Sequence, residues 1–434
     1  MSVMKWYSVL AVLLYIMPLV ACPASAKGIS IPDSLNVLYD RGVEACNAGD
    51  EETAARLWHT AAAGGHVEAQ YDYALCLING TGVEQNYHEA FSWLQKAAAQ
   101  EHTEALFSVG YCYEYGIGVD PSFVEAEKWY LSAAARGHSD AQLSMGIMYY
   151  NGLVGECDFP VAVEWFRKAA EQGNAEAMAY LGNCYKDGCG VEQDEYKAVV
   201  WYGKGAELGH VESIYNLAYC YDWGIGIDAN EGKALKLYGK AAGLGLDVAQ
   251  YDMAMYCIEK GDSVNAIAWL ETAAEQRYAD AQYMLGKYYN LGKYVEKDAR
   301  KAVMYFALAA GQEHSDALCD LGYCYLMGDG VSRDANVAVR WFLLSAKEGN
   351  ERAQHNLGVC NYEGIGVEQN YEDAVKWFTL AAEKEYADSQ YYLGVCYNNG
   401  QGVKADRSKA VKLLQSAKKN GSQEAAEALR ILSE

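Results

Sequence analysis

The sequence is dominated by an internal repeat of about 36 residues. Counted from Ala69, nine segments of 36 residues and one of 32 follow one another to residue 424, and a further segment of 32 residues, 37–68, precedes them. A segment of this length cannot bury an apolar core alone, so the segments must stack on their neighbours. The period therefore predicts that the chain consists of eleven copies of one supersecondary unit.

Each segment is predicted to contain two helices. The first carries apolar or small residues at helical spacing, such as Ala105, Val109 and Tyr113, and ends at a glycine such as Gly116 that tolerates a left-handed backbone. Before each second helix stands Asn, Asp or Ser, whose side chain accepts hydrogen bonds from the free amides of a first helical turn. The predicted N-caps are Asp50, Asn86, Ser122, Asp158, Asp194, Asn230, Asp262, Asp298, Asp334, Asn370 and Asp406.

Tryptophans recur at one phase of the second helix. At helical spacing, with alanines opposite, they are predicted to be core residues packed between helices rather than a ligand site. They are Trp93, Trp129, Trp165, Trp201, Trp269, Trp341 and Trp377.

The pattern Ala-x3-Leu-Gly-x2-Tyr-x2-Gly-x-Gly-Val, followed by Ala-x2-Trp as in residues 177–201, resembles the Sel-one-like repeat (SLR) family of the tetratricopeptide superfamily. The resemblance covers about residues 37–424. It implies an all-α fold, a right-handed α/α solenoid of about eleven helix-turn-helix repeats. It also implies a concave side that binds partner proteins or peptides, as in adaptor proteins, many of which are exported by bacteria.

The predicted organisation is a signal peptide over 1–26, a short helical repeat over 37–68, ten SLR repeats over 69–424 and a C-terminal capping helix over 425–434. The repeat of 32 residues, 249–280, lacks the Gly-x-Gly turn. Two interpretations stay open for this departure: a hinge near residues 240–265, or a tighter turn without a mechanical role.

The N-terminus has the features of an export signal. Lys5 precedes an apolar run from Val9 to Val20, and Ala24-Ser25-Ala26 is a cleavage pattern for signal peptidase. The run is too short to span a bilayer. The Leu-Val-Ala-Cys sequence ending at Cys22 resembles a bacterial lipobox, although Pro23 fits that pattern poorly. We therefore expect a periplasmic or secreted protein, with lipidation of Cys22 as an alternative route to the envelope.

The charge of the chain excludes some partners. Its 58 Asp and Glu outnumber 35 Lys and Arg, and the formal net charge is −23. Such a field repels phosphate backbones and anionic membrane surfaces, so nucleic acid is not an expected partner. No second long apolar run follows the leader, and no membrane span is expected.

The sequence gives no support to catalysis, a cofactor or a metal. It has no Cys-x2-Cys pair, no nucleophile elbow and no phosphate-binding loop after a strand. Most cysteines share a first-helix phase and are expected to fill small apolar sites, whereas Cys184 and Cys189 could close a local disulfide. Five histidines at the ends of repeats are expected near helix C-termini, where the dipole favours them: His66, His102, His138, His210 and His314.

An alignment with the tetratricopeptide unit places three phases of each first helix in the concave groove. Aromatic residues at these phases suit peptide binding, with the alternative that they pack against the neighbouring repeat. Glu114 and Asp222 share the groove, which favours a basic, apolar or proline-rich ligand. The predicted groove residues are Tyr71, Phe107, Tyr111, Tyr150, Tyr215, Tyr219, Tyr251, Tyr283, Tyr323, Tyr362 and Tyr391.

The function predicted from these observations is a non-enzymatic protein-interaction scaffold. Its binding surface would be the concave face of the solenoid, contacted at many points along its length. The alternative is a cell-envelope hydrolase or β-lactam-binding protein, as the resemblance to cysteine-rich SLR proteins implies. That alternative needs a nucleophile and a base in one pocket.

Overall fold

A computed structural model describes residues 33–433. These residues form 23 helices and, within this range, no strand. The predicted export signal and Cys22 lie outside the described residues. No helix of the described chain is long and apolar enough to cross a membrane. The all-α class and the helix-turn-helix repeats are thus confirmed.

The chain divides into two compact units, with the boundary between Glu231 and Gly232. The helices of the first unit are α1 (Asp33–Asn47), α2 (Glu51–Ala63), α3 (Val67–Asn79), α4 (Tyr87–Ala99), α5 (Thr103–Tyr115), α6 (Phe123–Ala134), α7 (Ser139–Asn151), α8 (Phe159–Glu171), α9 (Ala175–Asp187), α10 (Glu195–Glu207) and α11 (Val211–Trp223). Those of the second unit are α12 (Glu231–Gly243), α13 (Asp247–Glu259), α14 (Ser263–Glu275), α15 (Ala279–Leu291), α16 (Ala299–Ala310), α17 (Ser315–Met327), α18 (Ala335–Lys347), α19 (Glu351–Glu363), α20 (Tyr371–Glu383), α21 (Ala387–Asn399), α22 (Arg407–Lys419) and α23 (Gln423–Ser433).

Odd-numbered helices from α1 to α21 are the first helices of their repeats, and even-numbered helices to α22 are the second. The first helices begin about two residues before the predicted segments, as at Val67 and Thr103. The N-cap prediction for the second helices is confirmed at ten of its eleven positions, where the side chain accepts a bond from a first-turn amide. The eleventh residue, Asn230, directly precedes α12.

The Gly-x-Gly turn has a structural role. Gly116 ends α5 in the left-handed conformation with φ 71°. Gly118, with φ 70°, lies so close to α4 that an added Cβ would be 2.1 Å from the carbonyl oxygen of Tyr87. The loop of one repeat therefore presses on the first turn of the preceding second helix, and a side chain at Gly118 would block this contact.

In seven of the eleven repeats the core contains a ring packed onto a helical glycine. A Cβ added to Gly110 would lie 2.6 Å from the Tyr130 ring, and one added to Gly146 would lie 2.4 Å from Phe166. Tyr130 and Phe166 are completely buried. They follow the tryptophan phase by one residue.

The tryptophans pack in or against the core as predicted, but most of them lie at its edge and not at its centre. Trp93 is buried, but the other six tryptophans of this phase are only half-buried. A lysine one turn later lies over several of these rings, as Lys96 does 3.4 Å from the Trp93 ring centroid. Two residues adjacent in sequence point about 100° apart around a helix. The residue after each tryptophan therefore points into the centre of the core, and the tryptophan lies at its edge.

Buried glutamines link the helices of successive repeats. The Gln70 side chain donates to the Ala62 carbonyl at 3.2 Å and accepts from Gln100 at 2.8 Å. The same bridge recurs between Gln142 and Gln172. In the tenth repeat a lysine replaces the donor glutamine, and Oε1 of the buried Gln354 has no hydrogen-bond partner among the described residues.

Candidate functional site

The candidate site is the solvent-facing side of the first helices. We call it the first-helix face and define it by the second, fifth, sixth, ninth, twelfth and thirteenth residues of each first helix, which share one side at helical spacing. The eleven predicted aromatics all fall on this face. Fifth positions hold Tyr71, Phe107, Tyr215, Tyr251, Tyr283 and Tyr391, ninth positions Tyr111, Tyr219 and Tyr323, and twelfth positions Tyr150 and Tyr362.

Fifth-position rings pack between repeats. Phe107 stacks on His138 with ring centroids 4.5 Å apart, and Tyr283 lies 4.6 Å from His314. Tyr71 contacts His102 in the same way, at 4.9 Å. The second ring of each pair directly precedes the next first helix. For these residues the packing alternative holds, because their rings are covered by the neighbouring repeat.

The other fifth-position tyrosines are also partly covered. Tyr251 lies 5.5 Å from Tyr278, the residue before α15. Tyr391 lies 5.5 Å from Tyr392 and packs beside the core of the last repeat. Tyr215 is half-buried on α11. The fifth position as a whole joins repeats and offers little free aromatic surface.

The histidines expected near helix C-termini instead begin the next first helix. Nδ1 of His102 accepts from the Ala105 amide at 3.1 Å, and Nδ1 of His138 accepts from Ala141 at 3.2 Å. His66, His210 and His314 are N-caps in the same manner. Only a neutral imidazole has this lone pair, and the positive helix terminus disfavours an imidazolium. The earlier expectation is wrong because the residue ending one repeat is the cap of the next.

Burial lowers the pKa of three of these imidazoles, His66, His102 and His210. The opposite ring nitrogen of His138 lies 2.9 Å from Glu104, a second-position carboxylate of the preceding first helix. The N-cap histidines therefore link successive repeats through polar contacts.

On the first-helix face, exposed apolar side chains are concentrated at the ninth and thirteenth positions. Tyr219 is 39% exposed and Trp223 is 68% exposed, with their ring centroids 6.0 Å apart. Tyr323 and Met327 form a second exposed pair, at 52% and 58%. Tyr111 and Tyr115 form a similar pair, with ring centroids 4.4 Å apart, but both rings are half-buried.

The thirteenth position was missed by the sequence interpretation. A large apolar residue directly before a capping glycine is the signal that could have identified it, because this exposed end of a helix is usually polar. The residues with this signal are Tyr115, Trp223, Leu291 and Met327.

The twelfth position carries both carboxylates and rings. Glu114 accepts a hydrogen bond from the Tyr130 hydroxyl at 2.7 Å. Asp222 is exposed on α11 between Tyr219 and Trp223. Tyr150 packs edge-on to Phe159, with centroids 5.2 Å apart, and the Tyr362 hydroxyl donates to Gln401 at 2.9 Å.

Acidic residues dominate the second position, where they lie at helix N-termini. Eight of the ten first helices from α3 to α21 carry one: Glu68, Glu104, Asp140, Glu176, Glu212, Asp280, Asp316 and Asp388. In the second unit Arg352 occupies this position. Its guanidinium contacts Asp320 and lies 3.8 Å from Asp316, and Asp320 also accepts from the Tyr283 hydroxyl at 3.1 Å.

The shared-phase cysteines are buried. Burial raises the pKa of Cys76, Cys112 and Cys184 to about 12, so these groups are thiols at neutral pH. Cys184 and Cys189 are unlinked, as are the other cysteines of the described chain. Within residues 33–433 no group of three His, Cys, Asp or Glu is arranged to hold a metal ion.

Comparison with known proteins places this arrangement in context. The profile described as Sel1 repeat matches eleven consecutive segments: 37–66, 67–102, 103–138, 139–174, 175–210, 211–246, 247–278, 279–314, 315–350, 351–386 and 387–422. A search of curated protein sequences gave no match.

Two solved structures are similar over most of their own lengths. One is a protective antigen of uropathogenic Escherichia coli strains with an SLR fold, at 30% identity and a TM-score of 0.65, covering 93% of this chain and 90% of that one. The other is a Sel1 repeat protein from Oxalobacter formigenes, at 28% identity and a TM-score of 0.51, covering 70% of this chain and 89% of that one.

Proposed function

Because the chain belongs to the Sel1 repeat family, we propose that it is a non-enzymatic scaffold that binds partner proteins or peptides along its first-helix face. The observation that carries the proposal is the exposed pair Tyr219 and Trp223 on α11. Because both rings are exposed, they add little to the core of their repeat. Exposed Trp and Tyr side chains of this kind are the anchors that dominate protein interfaces.

The chemistry of the described side chains supports a binding function more than a catalytic one. The shared-phase thiols are buried and protonated, and the N-cap imidazoles use Nδ1 to hold a helix terminus. A nucleophilic site needs a thiolate or hydroxyl with a base at hydrogen-bond distance. The shared-phase thiols and the N-cap imidazoles are thus engaged in packing and capping, and Ser389, whose hydroxyl lies 3.0 Å from Nδ1 of His355, is completely buried.

Export is part of the same proposal. The leader over 1–26 and the small residues before Lys27 support cleavage by a signal peptidase, with Cys22 as the lipid attachment site in the alternative route. The similar protein of uropathogenic Escherichia coli is described as a protective antigen, a description that fits an exported protein. Mass spectrometry of the N-terminal peptide of the cell-derived protein decides between cleavage after Ala26 and lipidation of Cys22.

Differential affinity capture tests the scaffold proposal. The full chain and a Tyr219→Ala, Trp223→Ala double variant are used as baits in envelope extract, with Tyr196→Ala as the matched control. Tyr196 is a 69% exposed ring on the second helix α10, away from the first-helix face. We expect wild type and control to capture the same proteins and the double variant to lose them, with equal helicity by circular dichroism. Retention of every captured protein by the double variant would contradict the proposal.

A further inference from the structure

A second period, three repeats long, is superimposed on the repeat. The tripeptide Tyr-Cys-Tyr occurs at 111–113, 219–221 and 323–325. The separations are 108 residues, which is three repeats of 36, and 104 residues, which is two of 36 and one of 32. Each tripeptide puts its first tyrosine at a ninth position, on α5, α11 and α17 respectively.

The three helices also share the thirteenth position. There the ninth-position tyrosine is followed one turn later by Tyr115, Trp223 or Met327. No first helix between or beyond them has an aromatic ninth residue: these positions hold Arg41, Leu75, Ile147, Asn183, Met255, Lys287, Val359 and Val395. Core packing makes the same demand on every repeat, so it cannot select a ring at every third one. This feature of longer period is exposed at Tyr219–Trp223 and Tyr323–Met327 and half-buried at Tyr111–Tyr115, and its period indicates contact with something outside the chain.

The chemistry beside two of these pairs is acidic. Asp222 lies between Tyr219 and Trp223 in sequence and is exposed. Glu114 lies between Tyr111 and Tyr115, and Glu176 lies close enough to raise the pKa of the Tyr115 hydroxyl further, after burial and Glu114. On α17 the twelfth residue is Leu326, so the third pair is apolar.

A ring beside a carboxylate binds the cationic end of Lys or Arg, through the face of the ring and an ion pair. The contact between a cation and the face of a ring occurs three times within this chain, on its second helices. Lysine ammoniums lie 3.4 Å, 4.0 Å and 3.9 Å from the ring centroids of Trp93, Trp165 and Trp201. A net charge of −23 also attracts basic rather than acidic partners.

We propose that the pairs Tyr111–Tyr115 and Tyr219–Trp223 are two docking points for Lys or Arg side chains of one extended segment of a partner protein. This inference rests on the proposed scaffold function and specifies its ligand. Packed helices are about 8–10 Å apart, and at about 10 Å per repeat the three repeats separate the points by roughly 30 Å. An extended chain covers about 3.3 Å per residue, so the two basic residues are separated by about eight residues. The pair Tyr323–Met327 is an apolar docking point in the second unit.

Peptide binding to the full chain tests the inference. The probes are fluorescein-labelled peptides with two arginines in a Ser-Gly-Thr background, separated by two, eight or fourteen residues, and a version with two glutamates. Fluorescence anisotropy at low salt should show about five-fold tighter binding at a spacing of eight than at two, and no binding of the glutamate peptide. Equal affinity at all spacings would overturn the two-point geometry.

Matched variants assign the contact to named residues. We expect Trp223→Ala to weaken the eight-residue peptide about ten-fold and Asp222→Asn about three-fold. The control Tyr196→Ala should bind as wild type does. Equal binding by Trp223→Ala and Tyr196→Ala would overturn the inference.

The two proposals fail separately. If the arginine peptides do not bind while the Tyr219→Ala, Trp223→Ala double variant still loses its captured proteins, the basic ligand is wrong and the scaffold function stands. If the double variant also keeps its captured proteins, the first-helix face is not the binding surface and both proposals fall.

Discussion

The first-helix faces of the two compact units differ in charge although their helices are built alike. In the first unit Asp222 is exposed beside a tryptophan, and Glu114 accepts from a tyrosine hydroxyl. In the second unit Arg352 contacts the carboxylates of Asp320 and Asp316. The comparison shows that the repeat specifies the packed positions and leaves the charge of the face to vary from one unit to the other.

The largest expected effect tests whether the packed positions are in fact equivalent. Phe166 in the first unit and Phe342 in the second are both completely buried, each against a helical glycine. Phe166→Ala and Phe342→Ala should each lower the local free energy of unfolding by about 3–5 kcal/mol, because each leaves a cavity. Hydrogen exchange of the amides in α8 and α18 measures the two losses. A difference of more than about 2 kcal/mol between them would mean that the units are not packed alike.

The charge difference itself is tested at Arg352. Arg352→Met leaves Asp320, whose side chain is only 18% exposed, without its cation. We expect the second unit to lose about 1–2 kcal/mol of unfolding free energy, less than for a fully buried pair because Arg352 is partly exposed.

Arg136→Met is the matched change in the first unit. Arg136 pairs with Glu101 at 3.0 Å, and the Glu101 side chain is 77% exposed. The cost should be below about 0.5 kcal/mol in urea unfolding. Equal costs for Arg136→Met and Arg352→Met would show that Arg352 does not distinguish the second unit.

A single side chain distinguishes the tenth repeat from the repeats that keep the glutamine bridge. Gln100 donates to Gln70 in the first unit and Gln312 donates to Gln282 in the second, whereas in the tenth repeat Lys384 donates to the Gly349 carbonyl and Gln354 keeps an unpartnered oxygen. Lys384→Gln should restore the bridge and add about 1 kcal/mol to the unfolding free energy. The reciprocal Gln100→Lys should remove a similar amount from the first unit. Thermal unfolding checks both, and a destabilised Lys384→Gln would show that the lysine contact is the better one.

The smallest expected effect is a pH dependence concentrated in the first unit, which has four of the five N-cap histidines. Burial lowers the pKa of His102 below its ordinary value of 6.5. The neutral ring stabilises the fold, so its contribution is complete above about pH 6.5 and is lost as the pH falls through that value towards the lower folded-state pKa.

His102→Asn keeps a side-chain acceptor, as Asn174 does at the start of α9, but cannot be protonated. Relative to wild type, the variant should gain unfolding free energy as the pH is lowered from about 7.5 to about 5. Urea unfolding at both values measures this change. In the second unit, Asn350→His should introduce the opposite dependence. An unchanged difference between His102→Asn and wild type at the two pH values would exclude the histidine cap as the cause.

Local features of the fold were predictable because each depends on residues close in sequence. Asp194 caps α10 because its carboxylate reaches the Lys197 amide three residues later at 2.9 Å. Gly116 ends α5 because a left-handed residue is needed where the helix stops. These signals are easy to recognise because the same cap and the same glycine recur in nearly every repeat.

The candidate site was predictable only in part. All eleven aromatics lie on the first helices as expected, but Phe107 and Tyr283 are covered by the ring that caps the next helix. Trp223, the most exposed ring of the face, was not among the predicted residues. Helical periodicity gives the side of a helix on which a residue lies and not what covers that side.

The chain by itself therefore settled the period, the all-α class, the caps and the turns, because those depend on hydrogen bonds and backbone conformations within a few residues. Contacts between repeats decided which of two adjacent rings, Trp165 or Phe166, fills the core, and which of two tyrosines on one helix, Tyr215 or Tyr219, is exposed. Whether a ring is buried depends on how closely another repeat packs against it. That distance is set only when thirty or more intervening residues have folded and packed.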